Sequence, residues 1–297
     1  MAATVAAAVA PLDVPLARRK RRRRGLLPFS PLHLLLLPTA VVFAFPLFYM
    51  LSSSVMSKEE IIKSRSLPKL LPGGIHLTGY ADVLTKTSFP RWFLNSVQVS
   101  AIAVIGHLVL CSLAGYAFAR VRFRGRGIAF TLIAATMMIP YPVLMIPTYR
   151  LYNRLGIIDT LASAYVPWLA SAFGVFLMRQ FFVNLPKELE DAAMMDGCSR
   201  LRVFVHVILP LARPALATLA LFTLLSSWND LVWPLLALNS DHAFTVQRGI
   251  QTFQSVKKTE YSALMASNAL ATIPMVIAFV VAQKRFVETM TFSGLKG

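Results

Sequence analysis

Hydrophobic residues form six long, continuous runs along this chain, separated by shorter polar segments. The runs cover approximately residues 32–52, 96–119, 128–149, 161–182, 211–238 and 264–282. Each run approaches or exceeds the roughly 20 residues that a helix needs to cross a bilayer. The runs do not alternate between apolar and polar residues, and inside lipid only helices or closed barrels satisfy every backbone group. The pattern therefore predicts an all-α integral membrane protein with six transmembrane helices.

The composition supports a membrane location, because 56% of the 297 residues are hydrophobic and only 14% are charged. A soluble domain rarely contains so much apolar surface. The net charge of +17 would suggest a nucleic-acid partner in a soluble protein. In a membrane protein it reports orientation, since Lys and Arg collect in cytoplasmic loops. The two cysteines, Cys111 and Cys198, fall at different predicted depths, so we expect neither a disulfide framework nor a metal site.

Residues 1–30 are rich in Ala and Pro and contain seven consecutive basic residues, from Arg18 to Arg24. This composition predicts a flexible cytoplasmic tail. Because the basic run precedes an apolar span, attraction to anionic lipid is favoured over nucleic-acid binding. The apolar span is too long for a secretory signal and lacks a small-residue cleavage site. We expect residues 31–297 to form the transmembrane domain.

Most of the 30 Lys and Arg residues fall on one side of the membrane if the N-terminus is cytoplasmic. This orientation places the loop 184–210 and a C-terminal tail, 284–297, in the cytoplasm. It places the segments 52–95 and 239–263 outside. Both termini are therefore predicted to be cytoplasmic.

The sequence contains no phosphate-binding loop of the form Gly-x-x-x-x-Gly-Lys-Ser/Thr, no His-Glu-x-x-His and no Gly-x-Ser-x-Gly. The chain is therefore not expected to be an enzyme or to hold a metal or cofactor. Few polar residues occur within the apolar runs, and for His107 hydrogen bonding between helices is favoured over a role in transport. Asp230 differs, because it precedes Pro234, which should bend the fifth helix near its outer end. The predicted translocation path comprises Asn95, Trp228, Asn229, Asp230 and Asn268.

The loop 184–210 is polar and prone to form helices. Pro186 suits the first position of a helix of about three turns, acidic residues occupy its early turns, and Asp196-Gly197 is a natural stop. Leu189, Ala192, Ala193 and Asp196 would give this helix a small-sided face that another protein can approach closely. Ser199 can cap a second helix that ends at Pro210. A connector lying on the membrane surface is the alternative, but anionic lipid would repel the acidic first helix.

The spacing of this loop resembles the EAA signature of permease subunits of bacterial ABC importers. The matching residues are Asp191-Ala192-Ala193-x-x-Asp196-Gly197, Phe204, Val207-x-Leu209-Pro210 and Pro214. Asp191 stands where the family usually has Glu, and Cys198 where it usually has Ala. The stretches 116–126, 138–147, 227–235 and 294–297 are similar to the carbohydrate-uptake branch, in particular to the six-span subunit of maltose-type systems. The resemblance extends from about Leu32 to the C-terminus.

This resemblance implies the type I permease fold of ABC importers, located in the bacterial plasma membrane. It also implies a complex with a second permease, an external solute-binding protein and two ATPase subunits that bind ATP and Mg. The loop would be a coupling helix seated in the ATPase. The residues implied for this contact are Glu190, Asp191, Ala192, Ala193, Asp196, Gly197, Phe204, Leu209 and Pro210. The outer segment with Gln251, Thr252, Phe253 and Gln254 would contact the binding protein, and the C-terminal tail would lie between the ATPase subunits.

The implied substrate is a sugar or an oligosaccharide, and glycerol phosphate imported by the same kind of machine is the alternative. An ion-coupled secondary transporter is the alternative of another class. That class predicts buried carboxylates and matching broken helices in the two halves of the chain, and neither is evident in the sequence. A structural scaffold would not need spans interrupted by proline.

Overall fold

A computed structural model of the chain describes residues 32–63, 69–254 and 259–293. The predicted basic tail and residues 294–297 lie outside the described residues, so the boundary at residue 30 stays a prediction. The α-helices of the N-terminal half are α1 (His33–Ser54), α2 (Lys58–Lys63), α3 (Thr78–Lys86), α4 (Phe89–Arg120), α5 (Arg126–Thr136), α6 (Tyr141–Arg154), α7 (Leu161–Tyr165) and α8 (Ala172–Val183). Those of the C-terminal half are α9 (Glu188–Met195), α10 (Arg200–Val203), α11 (Leu209–Leu211), α12 (Arg213–Trp228), α13 (Val232–Ala237), α14 (Val246–Ile250) and α15 (Tyr261–Ser293).

The described part of the chain is helical apart from turns and one isolated bridge between Gln254 and Thr259, which confirms the prediction of an all-α fold. Short 3₁₀ segments follow α7 and α14, another lies at 241–243, and a π-helical segment, Phe204–Ile208, joins α10 to α11. The chain divides into two compact units, Met1–Pro46 and Leu47–Gly297. The described part of the first unit is the beginning of α1, which is apolar and exposed.

Four helical segments are long and apolar enough to cross a membrane, namely His33–Ser54, Phe89–Arg120, Leu161–Val183 and Tyr261–Ala282. Two further pairs of helices satisfy the same test only when each bent pair is taken as one span. The described residues therefore contain between four and six candidate spans, and the predicted number of six is reached when each bent pair is counted as one span. Two helices extend beyond the spans predicted for them, since α4 begins at Phe89 and α15 continues to Ser293, into the region expected to be a tail.

The predicted third span, 128–149, consists of two helices separated near its prolines. α5 ends at Thr136, α6 begins at Tyr141, and the two helices meet at an angle of 102°. Pro140 has no amide hydrogen to donate, adopts an extended conformation and disfavours helical geometry at Ile139, while Pro142 lies in the first turn of α6, where no intrahelical amide donor is required. The prolines therefore separate two helices instead of kinking one.

The predicted fifth span, 211–238, is also interrupted. α12 ends at Trp228, and α13 begins only at Val232. The bend predicted near Pro234 therefore occurs earlier, at residues 229–231. Pro234 itself lies in the first turn of α13, where a helix requires no intrahelical amide donor.

α4 is the central helix of the second unit, because it packs along α8 on one side and along α12 on another. Small residues allow the close approach: a Cβ added at Gly115 would lie 2.7 Å from the Cβ of Met178 in α8. Met178, Phe182 and Leu219 are almost completely buried at this junction. This packing fixes the end of α4, from which the candidate site is built.

Candidate functional site

The helix α9 forms the centre of the candidate site. Glu188, Glu190 and Asp191 lie in its first turn, where the helix dipole favours negative charge. The helix has 8 residues and is shorter than the three turns predicted, because it begins at Glu188 and not at Pro186. Its acidic start and its end beside Asp196 otherwise follow the prediction.

Gly197 ends α9 in a left-handed conformation with a φ of 83°. Its amide donates to the carbonyl of Met194 at 3.1 Å, and the amide of Cys198 donates to the carbonyl of Ala193 at 3.0 Å. These two bonds form a Schellman motif, which glycine adopts at the lowest steric cost. Ser199 then caps the next helix as predicted, because its side chain accepts a hydrogen bond from the amide of Arg202 at 3.4 Å.

Glu190 faces into the protein and is 8% exposed. Its Oε1 lies 2.8 Å from Nε of Arg120, and its Oε2 accepts a hydrogen bond from the Tyr116 hydroxyl at 3.1 Å. Nε and Oε1 form an ion pair, but they are not aligned to form a hydrogen bond with each other. Arg120 also donates to the backbone carbonyl of Leu185 at 2.5 Å. The end of α4 thereby holds α9 and the residues that precede it.

Aromatic rings beneath the loop add to this attachment. The ring of Phe204 lies 4.8 Å from that of Tyr116 and 6.3 Å from that of Phe182, measured between centroids. All three side chains are buried. Aromatic pairs of this kind contribute about 1 kcal/mol beyond the area that they bury. The loop is therefore packed against both α4 and α8.

The residues predicted to contact an ATPase divide into two groups. Those on the outer surface are exposed: Asp191, Ala192, Asp196, Gly197 and Pro210. Glu190 and Phe204 are buried, while Ala193 and Leu209 are partly buried against the same core. Met195 was not predicted as a contact residue. It lies beside the exposed group, and 84% of its surface is accessible. Leu189 is also exposed, so the outer face of α9 combines small, acidic and apolar side chains.

The segment that follows α9 leads directly into α12. The second helix does not end at Pro210 as predicted; it passes through the π-helical segment Phe204–Ile208 and ends at Leu211. Pro210 lacks an amide donor, and the wider π turn tolerates the resulting gap in the hydrogen-bond ladder. The chain then turns by 78° into α12. A turn at residues 196–199 and one short helical segment, Arg200–Leu211, thus separate α9 from α12.

Asp230 lies in the interruption between α12 and α13. Its Oδ1 accepts a hydrogen bond from the amide of Trp233, and its Oδ2 accepts one from the indole Nε1 of Trp168, both at 3.3 Å. Trp168 precedes the break before α8, whereas Asp230 lies in the break between α12 and α13. Two interrupted helices therefore meet at one half-buried carboxylate, and irregular backbone at membrane depth is typical of regions that line a cavity.

The other residues predicted for a translocation path do not join Asp230 in this cluster. The buried amide of Asn95 donates to the carbonyls of His242 and Phe244, both at 2.9 Å. Trp228 is buried and donates to the carbonyl of Ala271 at 3.1 Å. Asn229 and Asn268 each donate to a carbonyl of their own helix. These contacts give the four residues structural roles at helix junctions and helix ends.

Two further sequence predictions can be located in the structure. His107 joins α4 to the break before α8, through Nδ1 at 2.7 Å from the carbonyl of Trp168 and Nε2 at 3.1 Å from the Ser171 hydroxyl. In the outer segment, Gln251 is partly buried, while Thr252 and Gln254 are exposed. Phe253 is buried against Trp92, with 6.1 Å between ring centroids. Phe253 therefore supports this segment from beneath and does not lie on its surface.

Comparisons with known proteins agree with this architecture. Residues 108–291 match the family model described as "Binding-protein-dependent transport system inner membrane component". The chain is 33% identical to the arabinooligosaccharides transport system permease protein AraQ of Halalkalibacterium halodurans, over 87% of this chain and 93% of that protein. It is 30% identical to the lactose transport system permease protein LacG of Rhizobium radiobacter, over 91% and 96% of the two chains.

A third relative and one solved structure broaden the comparison. The sn-glycerol-3-phosphate transport system permease protein UgpE of Agrobacterium fabrum is 33% identical over 86% of this chain and 93% of its own length. A chain of a bacterial ABC transporter involved in the import of the acidic polysaccharide alginate superposes with a TM-score of 0.76 and 26% identity, over 87% of this chain and 99% of that chain. The resemblance to ABC importer permeases and the permease fold are thus confirmed. The chain belongs to the family of inner membrane components of binding-protein-dependent transport systems.

Proposed function

We propose that this chain is one of two permease subunits of an importer for a sugar or an oligosaccharide. ATP and Mg are bound by two partner ATPase subunits, and the chain itself carries out no hydrolysis. An external binding protein delivers the substrate. The relatives named for arabinooligosaccharides and lactose support a carbohydrate substrate, and the distribution of basic residues supports cytoplasmic termini.

The attachment of α9 carries the mechanical part of the proposal. The Glu190–Arg120 pair fixes the inner face of α9 to α4, while Asp191, Ala192 and Asp196 remain exposed on its outer face. A helix that is fixed on one face and exposed on the other is suited to transmit force from a partner. Closure of the ATPase pair would move α9 as a rigid body and pass this displacement to α4 and, through the π-helical segment, to α12. We refer to α9 below as the coupling helix.

Asp230 supports a neutral sugar over glycerol phosphate as the substrate. The carboxylate and the neighbouring Trp168 combine a hydrogen-bond acceptor with an aromatic surface, which suits sugar hydroxyl groups and the apolar faces of sugar rings. A half-buried negative charge would instead repel a phosphate group. The relative named for glycerol phosphate keeps that substrate as the second candidate.

The outer segment supports a contact with the binding protein. Thr252 and Gln254 are exposed there, and Phe253 is anchored beneath them on Trp92. We propose that Thr252 and Gln254 touch the binding protein and that Phe253 positions them.

The coupling proposal is tested by Ala192→Arg in the complete transport complex. Arginine at this exposed position would prevent close approach of the ATPase without disturbing the core, whereas Ala193→Arg would also disrupt internal packing. We expect uptake and binding-protein-stimulated ATP hydrolysis to fall at least about tenfold, while the two permeases still copurify. Ala192→Ser is the matched control and should retain activity. Normal uptake by Ala192→Arg would overturn the assignment.

A further inference from the structure

A pocket of about 320 Å³ opens between the coupling helix and the end of α4. Five basic residues contribute to its wall: Arg120, Arg122, Arg126, Lys187 and Arg200. Glu190 and Asp191 are the acidic residues of the same wall. The lining therefore carries an excess of positive charge within a concavity of the size that accommodates small ligands.

Most of this positive charge is not neutralised by the described residues. Arg120 is paired with Glu190, and Arg126 donates to the backbone carbonyl of Val121 at 3.3 Å, which leaves its charge uncompensated. Over residues 32–63, 69–254 and 259–293, no ion pair within 4.0 Å involves Arg122, Lys187 or Arg200. Asp191 also forms no such pair in that part of the chain. Holding several cations around one pocket costs free energy unless an anion is present.

The basic residues come from separate parts of the chain that meet at this pocket. Arg122 belongs to the turn between α4 and α5, which contains Gly125 in a left-handed conformation, and Arg126 is the first residue of α5. Lys187 immediately precedes the coupling helix, and Arg200 is the first residue of α10. The general preference for basic residues in cytoplasmic loops explains their presence on this side. It does not explain why these side chains converge, because Arg124 and Arg202 in the same segments do not line the pocket.

The chemistry and depth of the pocket favour a phosphate group as its ligand. Guanidinium groups match the oxygen atoms of phosphate through paired hydrogen bonds. Arg120 is the last residue of α4, whose 32 residues exceed the roughly 20 that cross the hydrocarbon core of a bilayer, so this end of the helix can extend into the headgroup region. Basic pockets at the cytoplasmic ends of membrane helices are suited to anionic headgroups.

We propose that this pocket binds a phosphate-bearing anion, either the headgroup of an anionic lipid or a soluble phosphate compound, and that the anion ties the coupling helix to the α4–α5 turn. The bound group would neutralise Arg122 and Arg126 on one side and Lys187 and Arg200 on the other. It would thus reinforce the attachment already made by Glu190. The importance of this attachment for transport rests on the proposed function, whereas binding of the anion does not.

Binding can be measured on the complete purified complex, at constant ionic strength, by microscale thermophoresis or native mass spectrometry. The probes are short-chain phosphatidylglycerol, short-chain phosphatidylcholine and inorganic phosphate. The test variant is Arg122→Gln with Arg200→Gln, and the control is Arg124→Gln with Arg202→Gln. Both variants remove two cations from the same two segments, but only the first removes them from the pocket. Lys187→Gln provides a single, milder change should the double test variant assemble poorly.

We expect phosphatidylglycerol or phosphate to bind the parent complex, the test variant to bind at least about tenfold more weakly, and the control to change less than about threefold. Lys187→Gln should weaken binding in the same direction. If phosphatidylglycerol binds and inorganic phosphate does not, the ligand is a lipid headgroup. If inorganic phosphate binds and phosphatidylglycerol does not, the ligand is a soluble phosphate compound. If the test and control variants lost the same amount of affinity, general electrostatic attraction would explain the binding, and the proposed site would be overturned. The absence of binding by both anions, or equal binding of phosphatidylcholine, would also overturn it, whatever the transport activity.

Discussion

The carboxylate of Glu190 in the coupling helix lies 2.8 Å from the guanidinium Nε of Arg120 at the end of α4. Both side chains are largely buried, with 10% and 6% of their surface exposed. Removal of one partner from such a pair leaves an uncompensated charge, which costs more than the pair contributes when intact. The attachment of the coupling helix therefore depends on both residues.

Glu190→Ala should destabilise the protein by about 3 kcal/mol, because the Arg120 charge loses its partner. Tyr116→Phe, which removes only the hydrogen bond to Glu190, should cost about 1 kcal/mol. The measurement is thermal unfolding of the purified complex, together with ATP hydrolysis stimulated by the binding protein. Equal stability of the two variants would show that the ion pair does not hold the helix.

Gly197→Ala should destabilise the coupling helix by roughly 1–2 kcal/mol, because alanine is disfavoured at a φ of 83°. No atom lies within 4 Å of the added Cβ, so the cost arises from the backbone alone. Gly127→Ala is the matched control, since its Cβ is equally unobstructed and its φ is not positive; it should be neutral or slightly stabilising. Chemical unfolding curves of the two variants test the difference. Gly197→Asn should lie between them, and a neutral Gly197→Ala would contradict the left-handed cap.

Local features of the coupling loop could be predicted from the sequence. The acidic first turn, the stop at Gly197 and the cap at Ser199 each depend on neighbouring residues, and all three occur in the structure. The inward orientation of Glu190 could not be predicted in this way. Its partner Arg120 is 70 positions away in the chain, and only the packing of α4 against the loop brings the two together. The motif around Tyr116 and Arg120 was visible in the sequence, but its contact was not.

Breaks in the helices were harder to predict than the helices themselves. Hydropathy reports the composition of a run and is insensitive to a few residues of irregular backbone within it. Prolines signalled a bend in the third span, yet a proline alone does not specify the angle of 102° that separates the two helices. In the fifth run, the break falls at Asp230 and not at Pro234, because the Asp230 carboxylate accepts the amide of Trp233 and starts a new helix. The contact of Asp230 with Trp168 was missed for the same reason.

Gly174→Ala should disrupt the junction between α4 and α8. The new Cβ would lie 2.5 Å from Nε2 of His107 and 2.7 Å from Sγ of Cys111, both on a packed helix. Overpacking of this kind costs about 1–3 kcal/mol. Gly106→Ala is the control, because its close contact is with the end of the flexible Leu169 side chain. Thermal unfolding should show the larger loss for Gly174→Ala, and the opposite order would contradict the packing described.

Asp159 should make the 239–240 segment sensitive to acid. Partial burial acts to raise the pKa of Asp159, but hydrogen bonds from the Ser240 hydroxyl and from the amides of Ser240 and Asn239 outweigh it and lower the pKa below its usual value of 3.8. A lowered pKa stabilises the folded state above pH 3.8, and this contribution is lost as the pH falls through the folded pKa. Asparagine tolerates the φ of 62° at this position, so Asp159→Asn removes the acidic group without straining the backbone.

Amide hydrogen exchange of residues 239–240 measures this dependence, after correction for intrinsic rates. We expect protection in the parent protein to decrease between pH 5 and the lowest pH at which the complex remains folded. The Asp159→Asn variant should exchange faster at pH 5 and change little over the same range. An identical pH dependence in both proteins would assign the acid sensitivity to another group.

Asp230→Asn separates the structural and transport roles of this carboxylate. The amide oxygen can still accept a hydrogen bond from Trp233, so the start of α13 should be retained; the amide nitrogen then faces the indole N–H of Trp168, and this lost hydrogen bond should lower stability by about 1 kcal/mol. The negative charge beside Trp168 is lost, and we expect uptake of the sugar substrate to fall about tenfold, because charge-assisted hydrogen bonds to its hydroxyl groups become neutral ones. Asp230→Ala should lose both stability and uptake, whereas Asn229→Ala, at the exposed neighbouring position, should lose neither. Unchanged uptake by Asp230→Asn, measured with radiolabelled substrate in proteoliposomes, would restrict Asp230 to its role as a helix cap.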